Sequence, residues 1–131
     1  MTPADYRRQL LGAVHGDQES LLREQLRKIE AQKAERERLS NVFLESMRED
    51  LLRLGTLLLQ LTPEPSTAET PDVRHDRLSL ERDRQTLARE GRDERRSCWL
   101  DQQTLEEEQR QLEKELTGHA KRRARLEDLL Q

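Results

Sequence analysis

Apolar side chains recur along the first half of the chain at alternating steps of three and four residues. Leu22, Leu26 and Ile29 begin this spacing, which weakens over residues 31–38, where alanines are the only apolar residues. It returns at Leu44, Met47, Leu51, Leu54, Leu58 and Leu61. Because such steps place side chains on one face of an α-helix, the pattern predicts a long helix with a coiled-coil seam.

The second half carries a thinner stripe of the same kind. Residues spaced by seven are Cys98, Leu105, Leu112, His119 and Leu126. The companion positions are Gln102, Gln109, Leu116, Arg123 and Leu130. We therefore predict a second long helix, about 90 Å in length at 1.5 Å per residue, with a partly polar seam.

Proline marks the boundaries, because it cannot lie inside a helix without removing a hydrogen bond. Pro3 follows Thr2, a good helix cap, and the other three prolines fall within residues 62–71. The predicted organisation is an N-terminal helix within residues 1–61, a Pro/Thr/Glu linker over 62–71, and a long C-terminal helix over 72–131. Two glycines leave open a break in the first helix near residues 12–16.

The predicted fold class is all-α, with two long helices joined by a Pro-rich linker as an antiparallel helical hairpin or coiled coil. Folding the chain back about the linker would bring Met47 opposite Leu87 and Leu22 opposite Leu112. The stripes of the two helices then face each other, which favours the hairpin.

Composition excludes a conventional globular core and favours helix over disorder. Only 32% of the 131 residues are hydrophobic and 39% are charged, with three aromatic side chains in all. The 24 Lys and Arg nearly balance the 27 Asp and Glu, and good helix formers dominate. The chain is therefore expected to form long helices.

Residues 51–61 carry leucines on almost every side of the predicted helix, and one partner helix cannot cover them all. The opposite stretch, residues 73–84, supplies only Val73, Leu78 and Leu80. Since soluble chains rarely expose such a patch, we expect a protein interface there. Trp99 is read either as seam packing or as an anchor in a partner's pocket. The predicted interface residues are Leu44, Met47, Leu51, Leu54, Leu57, Leu58, Leu61, Trp99 and Leu100.

No motif for catalysis or cofactor binding is found, so no enzyme activity, cofactor, metal or small-molecule substrate is expected. Cys98 is the single cysteine, and the three histidines, His15, His75 and His119, are far apart in sequence. The basic run at residues 121–125 suggests nucleic acid as a remote alternative, against which the net charge of −3 and the scarcity of aromatics argue.

Two Thr-Pro pairs, Thr62-Pro63 and Thr70-Pro71, are candidate phosphorylation sites. The longest apolar runs, such as Leu57 to Leu59, are too short to span a membrane, and residues 1–10 lack the apolar stretch of a signal peptide. The expected location is therefore cytoplasmic, with a cytoskeletal association left open.

Two functions remain after these exclusions. In the first, the chain is a non-catalytic subunit of a cytoplasmic or cytoskeletal assembly, such as a ciliary, centrosomal, kinetochore or transport complex, and binds other coiled-coil proteins. In the second, it binds itself and acts as a soluble adaptor or regulator, for example of an ATPase. Polar residues in the seams, such as Lys33 and Arg36, favour a specific different partner.

Overall fold

The computed structural model describes residues 2–61 and 68–130. Two α-helices account for nearly all of them: α1 (Pro3–Leu61) and α2 (Pro71–Leu129). The helices pack against each other in antiparallel fashion, which confirms the predicted all-α helical hairpin. Of the predicted linker, residues 68–70 are non-helical, Pro71 opens α2, and residues 62–67 lie outside the described residues.

A Thr-Pro pair starts each helix. The Thr2 hydroxyl accepts a hydrogen bond from the Asp5 backbone N–H at 3.2 Å, and the Asp5 carboxylate accepts one from the Thr2 backbone N–H, also at 3.2 Å. This is a reciprocal capping box. At the second helix, the Thr70 hydroxyl accepts from the Val73 backbone N–H at 3.3 Å. The local sequence therefore determines where both helices start.

The α1 helix continues through Gly12 and Gly16, where the sequence left a break open. No glycine among the described residues has a positive φ. A glycine inside a helix costs about 1 kcal/mol relative to alanine, a loss that the rest of a 59-residue helix outweighs.

The described residues divide into two compact units, the first comprising residues 2–35 and 101–130 and the second residues 36–61 and 68–100. In the first unit, Leu22 and Ile29 are the buried apolar residues of α1. Across from them, α2 contributes four half-buried leucines, namely Leu105, Leu112, Leu116 and Leu126.

Polar seam residues of the first unit bind each other across the hairpin. The Lys33 ammonium lies 3.4 Å from the Gln109 side-chain oxygen and 3.6 Å from the Glu106 carboxylate. The Gln102 side chain donates to the Lys33 backbone carbonyl at 2.9 Å. These residues therefore have partners within the hairpin, so their presence in the seam does not by itself require a different chain.

The second unit is built around Met47 and Gly91. Met47 is 5% exposed, and a Cβ atom placed on Gly91 would lie 3.7 Å from its terminal methyl carbon. Thus Gly91 faces Met47 directly, while Leu87, which we expected opposite Met47, lies one turn earlier in α2 and lines the same groove as both. An ion pair of 2.5 Å between Arg36 and Glu94 also joins the two helices of this unit.

Candidate protein-interaction surface

The leucines of residues 51–61 do not share one environment. Those that continue the seam are half-buried against α2, namely Leu51, Leu54, Leu58 and Leu61. Three others are exposed: Leu52 by 67%, Leu57 by 44% and Leu59 by 79%. One partner helix covers only part of this segment, so the second unit presents apolar side chains to solvent.

The most exposed part is a narrow face formed by Leu52, Gly55, Thr56 and Leu59, which we call the leucine face. Leu52 and Leu59 are two helical turns apart and lie on the same side of α1. The Thr56 hydroxyl between them donates to the Leu52 backbone carbonyl at 3.0 Å, so its own helix satisfies it. A Cβ atom on Gly55 would meet open space. Small residues between two large ones form a depression that another helix can enter.

Leu57 lines a groove of about 490 Å³ between the helices of the second unit. Leu54 and Leu87 supply the other apolar walls. Charged residues border the groove, and two of them, Asp50 and Arg53, pair at 3.3 Å. Leu57 also lines a smaller pocket together with Leu52, Arg53 and Thr56, so it borders both this groove and the leucine face.

Ion pairs surround the start of α2 in this unit. The Arg77 guanidinium lies 2.7 Å from the Glu69 carboxylate and 3.3 Å from that of Glu81. Its hydrogen bond to Glu69 lowers the pKa of that carboxyl and raises the pKa of Arg77 itself. Of the three apolar residues expected to cover the leucines, Val73 and Leu80 are half-buried, while Leu78 is 39% exposed.

The remaining predicted interface residues fall into two groups. Met47 is buried within the hairpin and Leu44 is half-buried beside it, so both pack against α2. Trp99 is 61% exposed and Leu100 is 49% exposed, whereas the neighbouring Cys98 is half-buried. Trp99 therefore lies off the seam, as the anchor interpretation requires.

Sequence reasoning missed Leu52 and Leu59 as individual interface candidates. It treated residues 51–61 as apolar all round and named only the seam leucines and Leu57. The signal was present, because Leu52 and Leu59 are spaced by seven and are offset from the seam positions.

The buried carboxylate of Glu19 in the first unit was also missed, although folding the chain back as a hairpin does bring His15 and His119 within reach of each other. Glu19 is only 2% exposed, and its carboxylate accepts a hydrogen bond from the Arg123 guanidinium at 2.8 Å. The rings of His15 and His119 lie next to each other with centroids 6.2 Å apart. Among residues 2–61 and 68–130, no three His, Cys, Asp or Glu side chains are placed to hold a metal ion. Arg123, the centre of the basic run, is thus occupied within the hairpin.

Neither α1 nor α2, over the residues described, is long and apolar enough to cross a membrane. No protein-family model, curated protein or solved structure gives a significant match to this chain.

Proposed function

We propose that this chain is a non-catalytic helical subunit that binds another protein through the leucine face, within a cytoplasmic or cytoskeletal assembly. The observation that carries the proposal is the exposure of Leu52 and Leu59, by 67% and 79%, on one side of α1. Covering one leucine contributes about 1.5–3 kcal/mol, so the pair supplies roughly 3–6 kcal/mol before the costs of association.

Geometry supports a helix as the partner. Leu52, Thr56 and Leu59 follow steps of four and three, the spacing with which one helix engages another. The open space above Gly55 allows a partner side chain to approach the backbone. Helix-in-groove recognition uses apolar anchors at this spacing.

The test compares two double variants that make the same chemical change at different places. Leu52→Gln with Leu59→Gln removes the leucine face. Leu10→Gln with Leu21→Gln removes two leucines of the first unit that are 52% and 56% exposed. Each variant is used as bait in quantitative affinity purification from cell extract, and its own mass is measured by light scattering.

We expect the wild type and the Leu10/Leu21 variant to retain the same partners, and the Leu52/Leu59 variant to lose them. Retention of all partners by the Leu52/Leu59 variant would refute the proposal. If the purified wild type is instead a dimer or tetramer that only the Leu52/Leu59 substitutions dissociate, the leucine face binds a second copy. The self-associating adaptor is then the correct function.

A further inference from the structure

A second groove in the second unit is bordered by arginines and has an apolar floor. Its volume is about 560 Å³. The floor includes Leu44, Met47, Leu51 and Leu87, together with Gly91, which lacks a side chain that could fill it. This groove is different from the leucine face, and none of the four residues of that face lines it.

Three guanidinium groups line this groove, from Arg48, Arg92 and Arg95, and the one carboxylate is that of Glu45. The local charge is therefore +2, against −3 for the whole chain. Arg48 lies 3.9 Å from Glu45. Neither Arg92 nor Arg95 forms a hydrogen bond or ion pair with any described residue. Two exposed cations thus lie beside the apolar floor without an ion pair to any described residue.

Trp99 extends the same side of α2. It follows Arg95 by four residues and Arg92 by seven, which places all three on one helical face. Arg and Trp are enriched among the residues that dominate protein interfaces. A binding segment that reaches beyond the groove would therefore meet an aromatic anchor one turn further along.

From this arrangement we propose that the groove binds an acidic amphipathic helix of another protein. The apolar side of that helix would lie on the half-buried leucines of the floor, Leu44, Leu51 and Leu87, and its carboxylates would pair with Arg92 and Arg95. An apolar floor between charged borders fits a helix with one apolar and one acidic side. No aromatic side chain lines the groove itself to stack on a base, and the whole chain is net negative, so an acidic helix is favoured over single-stranded nucleic acid.

The proposal is tested with the full chain and two synthetic peptides of about 20 residues, long enough to form a helix. Both carry the same leucine stripe, and their flanking positions are glutamate in one and lysine in the other. Trp99, the single tryptophan, reports binding by its fluorescence. We expect the glutamate peptide to bind and to change the Trp99 emission, with an affinity that falls as salt is added.

Arginine variants locate the binding. Arg92→Ala with Arg95→Ala should weaken the glutamate peptide on the order of tenfold, the loss of two exposed ion pairs. The control, Arg82→Ala with Arg89→Ala, makes the same charge change at exposed arginines outside the groove and should bind as the wild type does. Circular dichroism checks that both variants stay helical.

Three results would overturn the proposal: equal binding of the lysine peptide, equal weakening in both arginine variants, or tighter binding of a single-stranded oligonucleotide than of the glutamate peptide. The Leu52/Leu59 variant should bind the glutamate peptide normally. Failure of this proposal is therefore distinguishable from failure of the proposal that the leucine face binds a partner.

Discussion

Replacement of Gly91 by alanine should make the protein more stable. In the middle of a helix, glycine is about 1 kcal/mol less favourable than alanine because it loses more backbone freedom on folding. The new methyl group would lie 3.7 Å and 3.8 Å from the Met47 methyl carbon and sulfur, and 4.0 Å from a Leu44 methyl carbon. These are ordinary van der Waals distances, so no neighbour has to move.

Burying the methyl group adds about 0.8 kcal/mol to the gain in helix propensity. We therefore expect Gly91→Ala to raise the free energy of unfolding by roughly 1–2 kcal/mol. The matched control is Gly55→Ala, where the new Cβ meets open space and only the propensity gain of about 1 kcal/mol applies. The difference between the two variants measures the contact with Met47.

The assay is urea unfolding followed by circular dichroism, with the slope of the transition compared among wild type and both variants. A gain for Gly91→Ala that does not exceed the gain for Gly55→Ala would refute the close approach of Met47. A loss of stability would show that the two helices lie closer at Gly91 than the structure places them.

Three further perturbations test other parts of the hairpin. Arg123→Ala leaves the carboxylate of Glu19, which is 2% exposed, without its 2.8 Å partner. Urea unfolding should show a loss of about 2 kcal/mol in the free energy of unfolding. This is less than the roughly 3–5 kcal/mol lost when a fully buried pair is broken, because the Arg123 side chain is 38% exposed. Thr70→Ala removes the α2 cap and should cost about 1 kcal/mol by the same assay, with Thr70→Ser near wild type as its control. Because the Arg77 guanidinium lowers the pKa of Glu69 below its ordinary 4.5, the stability from this pair is present above that pH and is lost as the pH falls through the lower folded-state pKa. Thermal melting of wild type and Arg77→Gln should therefore differ at neutral pH and converge in acid; a difference that persists in acid would contradict this reasoning.

The hairpin could be predicted from the sequence because its determinants are local and periodic. Steps of three and four residues specify the seam of α1 from Leu44 to Leu61, while Thr2-Pro3 and the proline-rich stretch 62–71 mark the helix boundaries. Neither signal requires knowledge of which residues of α2 lie opposite.

Features that depend on the opposite helix could not be predicted in the same way. Glu19 fits the seam spacing, four residues after His15 and three before Leu22, but a carboxylate enters a buried position only where a cation faces it. Arg23, four residues away in sequence, lies 3.7 Å from this carboxylate, but the closer cation at 2.8 Å is Arg123, which is 104 residues away. Gly91 likewise precedes Cys98 by seven residues, yet its role is visible only once Met47 is placed against it.

The exposed leucines are a third feature that could be predicted only in part from the sequence. Composition and periodicity identified residues 51–61 as too apolar for one partner helix, because the number of leucines there exceeds what one helix can cover. Which leucines remain outside depends on the rotation of α1 about its axis, which packing against α2 sets. The pattern therefore gave the right segment and omitted Leu52 and Leu59, its two most exposed leucines.

The contacts between α1 and α2 have a consequence for how copies of this chain recognise each other. The Glu19–Arg123 and Arg36–Glu94 pairs join α1 to α2. The same ion pairs would form if α1 and α2 belonged to two different molecules. Two opened chains could exchange their α2 helices and remake every such pair between molecules, a domain swap. These ion pairs specify that α1 packs against α2. Protein concentration then decides whether the two helices come from one chain or from two.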